Sequence, residues 1–468
     1  MTRLWFATII CAIGLGLIVM VSAAQADLAD VLYEKGQITK EEWLKAKADK
    51  EKDAEPTNNL AEWQKKVSQL PILSDKFNIG VNALQPQYFF QQAHVKEGSA
   101  QNQFLIRRAE IITWGKLMDQ IPRWHILFDF GSLGTLNSNT KVCTNAGCTT
   151  TANVVSSANN QILKEAYIDI RPVLSWAPYL DVIRVGQYRI PFGIENDTSS
   201  GLIDFISRGY FSSGAGGGGS VSTGIDFVQE RDIYVDVKSK PSEYVELDAV
   251  IMNGNSIDYT KVDNNSQKDF LGRIRIKPMK DLFFSFSGIT GTSNNTNTDL
   301  NGRGKGSYDR LGADFRYAPN WLPGLHLQGE WITGHDAPNV ANVGATSVST
   351  NGAGVMRRTW YAYAKYRLDD LAMDLGMPWL KGWEPTVRYE EFDPDTHSGN
   401  DMFTRTTVGL NYYFAEILPK IQTKLQLDYE FRHHQEGPTT GLSPVAGGTK
   451  FDAAAKDAVL IQFSIRWM

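Results

Sequence analysis

Basic side chains recur at even spacings in three stretches of the chain, which is the spacing that places them on one face of a β-strand. The members of this basic wall are Arg273, Arg275, Lys277, Arg310, Arg316, Lys365 and Arg367. A row of cations along a channel favours anions, so the chemistry expected here is electrostatic selection rather than covalent catalysis. Acidic residues alternate similarly just upstream, at Asp232, Asp236, Glu246 and Asp248. Pairing of the two sets across adjacent strands is an equally open interpretation.

Motifs of common enzyme classes are absent from the sequence. The chain lacks C-x-x-C-H, G-x-S-x-G and the phosphate-binding G-x-x-x-x-G-K-[ST]. The glycine run Gly216 to Gly219 is not followed by Lys, and His433 and His434 have only Glu436 close by as a further metal ligand. We therefore expect no catalytic residues, no metal and no cofactor.

The N-terminus has the features of a secretory signal peptide. Arg3 precedes an apolar run from Leu4 to Val21, and Ala24-Gln25-Ala26 forms a small-residue cleavage site. Residues 1–26 are predicted to be this signal, with an uncleaved transmembrane anchor as the alternative. The formal net charge of −5 becomes −6 when Arg3 is removed, which argues against nucleic acid as a partner.

Two cysteines, Cys143 and Cys148, remain beyond the predicted signal peptide. Two nearby cysteines in an exported chain usually pair, so a disulfide that staples their loop is predicted. A metal site is the alternative, although the surrounding VCTNAGC contains no further Cys or His.

From Phe77 onward the hydrophobic pattern has a period of two, which predicts β-strands. In the last strand, Val459, Ile461, Phe463 and Ile465 share one face. The connections alternate between short and long, as in outer-membrane barrels, whereas a soluble sandwich has no reason to sort its loops in this way. Sixteen strands are predicted, near 77–92, 103–117, 122–133, 162–172, 180–191, 225–238, 243–253, 268–277, 281–291, 306–317, 323–334, 357–368, 384–392, 404–414, 422–433 and 457–467.

The predicted fold is all-β: a 16-stranded antiparallel transmembrane β-barrel with a short N-terminal helical extension. Residues 27–75 are assigned to this periplasmic helical or coiled-coil-like extension, and residues 76–468 to the barrel. One connection, 369–383, is longer than a short turn, and the membrane interface is the expected place for its apolar residues Leu371, Met377, Trp379 and Trp383.

The long segment that follows Gly186 is the candidate constriction of the channel. Pro191 ends the strand because it has no N–H to donate, and about thirty residues of loop follow. Loops of this length are usually functional or disordered, so we predict that residues 192–224 fold into the lumen. The charged residues assigned to this constriction are Arg189, Glu195, Asp197, Asp204 and Arg208.

The stretch VGQYRIPFGIENDTSSGLIDFISR resembles the phosphate-selective porin O and P family, in which G-Q-x-x-x-P-F-x-x-E precedes T-S-S and an aromatic-rich turn ending in Arg. The resemblance covers roughly residues 77–468 and implies a sixteen-stranded trimeric porin whose third long loop narrows the pore. A departure from the family pattern is that Arg208 is the only base in residues 192–224. The matching residues are Gly186, Gln187, Pro191, Phe192, Glu195, Thr198, Ser199, Ser200, Phe205 and Arg208, with weaker similarity at Arg107-Arg108-Ala109-Glu110, Asp129-Phe130-Gly131, Val408 to Phe414 and Leu427-Asp428-Tyr429.

Together these expectations describe a porin of the bacterial outer membrane for passive diffusion of small hydrophilic solutes, in particular anions, with phosphate-like ions possible. The expected partners are outer-membrane lipid, such solutes and further copies of the chain in a homotrimer. Two other functions remain open: a barrel scaffold or sheath for a partner protein, and an outer-membrane enzyme such as a lipase. The enzyme would need a Ser/His pair at a barrel rim, and the seven scattered histidines suggest none.

Overall fold

The computed structural model describes residues 39–40, 75–91, 101–131, 141–144, 147–150, 162–174, 176–199, 201–211, 227–228, 230–254, 267–294, 305–336, 355–397, 399, 402–414, 421–435 and 457–467. The chain divides into two units, Met1–Leu73 and Ser74–Met468. The predicted signal peptide lies outside the described residues, and the predicted extension is described only at Thr39, Lys40 and Asp75. Within the described ranges, no helix is long and apolar enough to cross a membrane.

A closed antiparallel barrel of sixteen strands accounts for most of the described residues, which confirms the predicted barrel. Its order is β1-β18-β17-β16-β15-β14-β13-β12-β11-β10-β9-β8-β7-β6-β3-β2, and β1 closes it by pairing with both β2 and β18. The strands are β1 (Asn78–Gln91), β2 (Gln101–Gly115), β3 (Arg123–Asp129), β6 (Leu163–Ile170), β7 (Leu180–Arg189), β8 (Arg231–Ser242), β9 (Val245–Met252), β10 (Asp269–Met279), β11 (Leu282–Asn294), β12 (Lys305–Tyr317), β13 (Leu325–Asp336), β14 (Val355–Tyr366), β15 (Trp383–Asp393), β16 (Phe403–Tyr413), β17 (Ile421–His434) and β18 (Ala458–Trp467).

A separate two-stranded sheet lies in the connection between β3 and β6. It consists of β4 (Lys141–Thr144) and β5 (Gly147–Thr150), and Cys143 and Cys148 are Cα partners in its register. The disulfide between them stays a prediction.

Alternating side chains give the barrel an apolar outside and a polar inside. In β10, Phe270 and Ile274 are exposed on the outer face, whereas Asp269 and Arg273 are buried on the inner face. Lipid cannot hydrate a charge, and a charged side chain on the lipid face near the midplane costs about 2–4 kcal/mol, so the charges sort inward. The period of two in the sequence therefore follows from the contrast between lipid outside the barrel and the polar lumen inside it.

Long and short connections lie at opposite ends of the barrel, which we call the loop end and the turn end. Short turns are periplasmic in outer-membrane barrels, which assigns the turn end to the periplasm. The connection between β14 and β15 at this end contains a helix, α1 (Asp369–Asp374), and a 3-10 turn at Pro378–Leu380. Trp379 and Met377 are exposed there, and their place at the membrane interface stays a prediction.

Gly186 in β7 has no room for a side chain, and we expect Gly186→Ala to destabilise the barrel. Its φ is 134°, and an added Cβ would meet the carbonyl oxygen of Ala166 on β6 at 2.3 Å. Backbone strain of this kind costs on the order of 1–3 kcal/mol, so the urea midpoint of the folded barrel in lipid vesicles should fall. Gly272→Ala is the matched control, because nothing lies within 4 Å of a Cβ at that position. Equal midpoints for the two variants would contradict the expectation.

Candidate pore constriction

The connection between β7 and β8 comprises residues 190–230, and we call it the constriction loop; its described part contacts the inner face of the barrel wall. The Ser199 hydroxyl donates to the side-chain oxygen of Asn82 on β1 at 3.1 Å. Asp197 accepts from Arg273 on β10 at 3.0 Å. Because β1 and β10 are seven strands apart in the order of the sixteen-stranded barrel, the described part of the loop contacts nearly opposite walls.

An apolar core fixes the loop to one half of the barrel. Phe192, Phe211 and Phe227 of the loop are almost fully buried there. Burying a large apolar side chain contributes roughly 1.5–3 kcal/mol, so this contact holds the loop firmly. The core consists of Ile190, Phe192, Tyr210, Phe211, Phe227 and Val228 from the loop, packed with Tyr234, Val250, Met252, Leu271, Ile289, Tyr308, Ile332, Tyr361, Phe392 and Phe403 from the inner faces of β8 to β16.

Buried carboxylates of the barrel wall hold the backbone of the loop. Glu330 on β13 accepts from the N–H groups of Ile194 and Glu195, both at 3.3 Å. Asp428 on β17 accepts from the N–H of Ile206 at 2.6 Å. These bonds satisfy loop N–H groups that would otherwise be buried without a partner.

Asp204 is the side chain through which the loop meets β14. Its carboxylate accepts from the Tyr363 hydroxyl at 2.7 Å and from Lys365 Nζ at 2.5 Å. Burial opposes ionisation of this carboxyl, but Lys365 and Lys424 hold its pKa below the ordinary value. The backbone oxygen of Asp204 also accepts from the Gln426 side chain at 3.0 Å.

The other charges assigned to the constriction lie within or beside the loop. Burial opposes ionisation of Asp197, but Arg273 is the main group that lowers its pKa, to about 2. Burial raises the pKa of Glu195, whose carboxylate accepts from the N–H of Gly209 at 2.5 Å. Arg208 is enclosed by the loop itself, where it donates to the carbonyl oxygens of Glu195 and of Thr198, the latter at 2.7 Å. Arg208 therefore shapes the loop from within.

The seven residues of the basic wall lie on the inner faces of β10, β12 and β14 or just after β14, and most are engaged by neighbours. Arg273 binds Asp248 at 2.7 Å, and Lys277 binds Glu246 at 2.5 Å, both across the β9–β10 pair. Arg275 lies 3.6 Å from Glu246. Two of the acids upstream, Glu246 and Asp248, thus show the cross-strand pairing left open by the sequence. Asp236 contacts Lys238 of its own strand at 2.7 Å.

The remaining members of the basic wall have different partners. Arg310 donates to the carbonyl oxygen of Phe227 at 2.6 Å, and Arg367 donates to Asp369 at 2.8 Å. Arg316 donates to the side-chain oxygen of Gln328 at 2.8 and 3.0 Å. The role of the wall in lining the pore stays a prediction.

A second group of charges lies on the opposite side of the lumen, on β2, β3, β6, β7 and β8 and on the adjoining loop, and only its members Arg189 and Arg208 were predicted from the sequence to lie at the pore. Arg231 binds Glu230 at 2.6 Å and Glu165 at 3.0 Å, and Arg108 binds Asp129 at 3.4 Å. We call this group the β2–β8 cation set: Arg107, Arg108, Lys164, Arg189, Arg208 and Arg231, with the carboxylates Glu110, Asp129, Glu165 and Glu230 among them. Within this set six cations stand against four carboxylates, and two further buried acids, Asp428 and Glu430 of β17, interact electrostatically with Arg107.

Arg107 stands apart within the β2–β8 cation set. The pairing of β1 with β2 shifts register between Gln85 and Pro86, so that Arg107 is the extra residue of a β-bulge. Both Arg107 and Arg108 are consequently buried, although neighbours in a regular strand point to opposite faces. The Nε and Nη1 atoms of Arg107 have no hydrogen-bond partner among the described residues.

Comparisons with known proteins agree with this architecture. Salmonella typhi OmpF in complex with daunomycin matches with a TM-score of 0.51 and 11% identity, over 84% of this chain and 97% of that chain. An anion-selective porin from Comamonas acidovorans matches with a TM-score of 0.48 and 11% identity, over 84% and 99%. Pseudomonas putida OprB matches with a TM-score of 0.49 and 10% identity, over 85% and 95%. Identities this low show the fold alone, and a comparison with curated protein sequences finds no match.

The family of the chain follows from a comparison with protein-family models. The model described as phosphate-selective porin O and P matches residues 79–282 and 284–445. These ranges cover the barrel from β1 to β17 and include the constriction loop, and they point to a passive channel rather than an enzyme. Because the match covers well over half of the sequence, the chain belongs to the phosphate-selective porin O and P family and is a porin of the bacterial outer membrane.

Proposed function

We propose that this porin passes small anions in preference to cations, and that the β2–β8 cation set carries the preference. The observation that supports this most directly is the buried Arg107, whose Nε and Nη1 lack a partner among the described residues. Arginine stays charged, and burying its guanidinium without partners is costly. The charge of Arg107 therefore acts on a passing anion through the electric field in the lumen.

The surroundings of Arg107 add to this preference. Its bulge neighbour Arg108 shares Asp129 with Lys164, so one carboxylate faces two cations. Burial opposes ionisation of Glu230, but Arg231 and Arg208 hold its pKa below the ordinary value. The negative charge of Glu230 is therefore already compensated by these two bases. The basic wall on the other side is largely paired and therefore contributes less to the field in the lumen.

Arg107→Gln is expected to reduce the anion preference of the channel. One unit charge acts on an ion about 4 Å away with an energy on the order of 1 kcal/mol in water, which corresponds to roughly a fivefold fall in the anion-to-cation permeability ratio. The measurement is the reversal potential of the refolded porin in a planar bilayer under a KCl gradient.

Arg358→Gln is the matched control for this experiment, because Arg358 lies on an outward position of β14 with its side chain exposed. A wild-type channel that prefers cations would overturn the proposed function. A wild-type preference for anions that survives in Arg107→Gln would move its origin away from Arg107.

The two other functions gain little from the described residues. A sheath for a partner protein would need an open lumen, whereas the constriction loop contacts nearly opposite walls. Among the described residues, no group of three His, Cys, Asp or Glu side chains could hold a metal ion.

We further propose that three copies of the chain assemble in the membrane, with residues 1–26 removed on export and residues 27–75 contributing to assembly on the periplasmic side. Small hydrophilic anions, with phosphate-like ions among them, and outer-membrane lipid are the partners in this proposal, and nucleic acid is not. Chemical cross-linking of the mature porin with and without residues 27–75 tests the assembly.

A further inference from the structure

The lumen holds a cavity of about 440 Å³ beneath the constriction loop, and we call this cavity the vestibule. The loop lines it with Thr198, Ser199 and Asp204, and the wall lines it with Arg316 near the turn end of β12 and Lys365 near the turn end of β14. A volume of this size lies within the range of about 300–1,000 Å³ seen for pockets that hold organic ligands. The vestibule is thus larger than a simple inorganic anion requires.

The lining of the vestibule mixes cations with hydrogen-bond acceptors. Its cations are Arg123, Arg189, Arg316, Lys365 and Arg466, and its carboxylates are Glu165, Asp197 and Asp204. Each carboxylate already binds a base: Asp204 binds Lys365 at 2.5 Å, Asp197 binds Arg273 at 3.0 Å, and Glu165 binds Arg189 at 2.9 Å. Asp197 and Asp204 still carry free lone pairs, because a carboxylate can accept about four hydrogen bonds, whereas Glu165 is also engaged by His125 and Arg231.

Arg316 is a cation of the vestibule whose hydrogen bonds go to an amide rather than to a carboxylate. Its Nε and Nη2 both donate to one amide oxygen, Oε1 of Gln328, at 3.0 and 2.8 Å. No ion pair of Arg316 is found in the described part of the chain. A guanidinium that is held by an amide alone remains available to bind a carboxylate in the paired geometry that arginine favours.

We propose that the vestibule binds polyhydroxylated monoanions of the sugar-acid class. The ligand carboxylate would meet Arg316, and ligand hydroxyls would donate to Asp204 and exchange hydrogen bonds with Ser199 and Asn82. One ligand carboxylate matches the guanidinium of Arg316, and the free lone pairs of Asp197 and Asp204 favour ligand hydroxyls over further negative groups as their partners. This inference rests on the proposed anion preference and adds a binding step to it.

Gluconate is the probe for this site, and glucose and acetate are control ligands that each carry one of its two features. Glucose carries the hydroxyls without the charge, and acetate carries the charge without the hydroxyls. Gluconate added on the periplasmic side of a planar bilayer should block the chloride current in a saturable way, whereas acetate and glucose should block only at much higher concentrations. In Arg316→Gln the half-blocking concentration of gluconate should rise about tenfold, the size of a lost charge-assisted hydrogen bond.

The controls separate this proposal from the anion preference itself. The reversal potential in a KCl gradient is recorded on the same channels, and it tests the proposed function without gluconate. Arg358→Gln should leave the gluconate block unchanged, and Arg316→Lys should retain part of it. Absence of saturable block, block by glucose or acetate equal to that by gluconate, or an unchanged block in Arg316→Gln would each overturn the proposal, even where the reversal potential confirms an anion channel.

Discussion

Replacing Arg405 by leucine is expected to release the constriction loop and enlarge the single-channel conductance. Arg405 on β16 donates to the carbonyl oxygen of Arg208 in the loop at 2.6 Å. It also binds Glu390, and its Nη1 lies 3.4 Å from Glu430. Glu390 in turn accepts from the N–H of Tyr210 at 3.1 Å. A single guanidinium therefore organises both wall carboxylates and the loop backbone they hold.

The effect should be large because Arg405 is only 1% exposed. Removing one partner of a buried ion pair leaves an uncompensated charge and costs about 3–5 kcal/mol. The barrel itself is held by its closed ladder of strands, so we expect the loss to fall on the loop and to appear as larger conductance steps. Proteolysis within residues 201–211 of the folded porin should become faster.

Arg405→Lys and Arg358→Leu complete the Arg405 experiment. Lysine keeps the charge, but it lacks the forked geometry with which arginine reaches Glu390, Glu430 and the Arg208 carbonyl together. The conductance of the Arg405→Lys porin should therefore lie between those of wild type and Arg405→Leu. Arg358 stands on the outside of β14, two strands away from β16, and its loss should leave the steps unchanged. Steps of wild-type size in a folded Arg405→Leu barrel would show that the apolar core alone fixes the loop.

The barrel was predictable from the sequence because one physical rule acts on every strand. Lipid on one side and polar lumen on the other impose a period of two, and each of the sixteen predicted strands overlaps an observed one. The largest displacement is at 225–238, observed as Arg231–Ser242. Phe227 and Val228 supplied the apolar signal for that early start, but they belong to the core beneath the loop.

The arrangement of charges was less accessible, because it depends on register and on distant contacts. Alternation alone cannot show that Arg273 and Asp248 are direct cross-strand partners, although it places both inside. It also hides Arg107 and Arg108, since adjacent residues count against a regular strand until the bulge is known. Two consecutive arginines in a strand that spans a membrane were a sign of this bulge, because in a regular strand one of the two charges would face lipid.

Asp204→Asn should also loosen the constriction loop, with an effect that is largest at neutral pH. The wild-type carboxylate is buried and holds Lys365 Nζ at 2.5 Å and the Tyr363 hydroxyl at 2.7 Å. Asparagine keeps the shape but leaves Lys365 with Glu384, 3.6 Å away, as its remaining acidic partner. Loss of a charge-assisted hydrogen bond costs about 1.5–3 kcal/mol, which should raise conductance at pH 7.

The pH dependence of this difference follows from the sign of the pKa shift. Since Lys365 and Lys424 hold the folded pKa of Asp204 below its ordinary value, its contribution is complete above the unfolded value of about 3.9 and is lost as the pH falls through the folded pKa. Conductance of wild type and Asp204→Asn should therefore differ by a constant factor from pH 7 to about pH 4 and converge below it. Glu195, whose pKa burial raises, titrates in both proteins and cancels from the ratio.

Convergence of the two conductances already at pH 5 to 6 would contradict this assignment, because it would mean that Asp204 binds its proton more readily in the folded porin than in the unfolded chain. A constant ratio down to pH 2 would mean that Lys365 and Lys424 keep Asp204 ionised over that whole range. Asp197 is present in both proteins, so its bond to Arg273 cancels from the ratio in the same way as Glu195. The two carboxylates contact different parts of the wall, Asp197 at β10 and Asp204 at β14. The ratio of the two conductances therefore reports on the attachment to β14 alone, and it tests whether that attachment controls the opening of the pore.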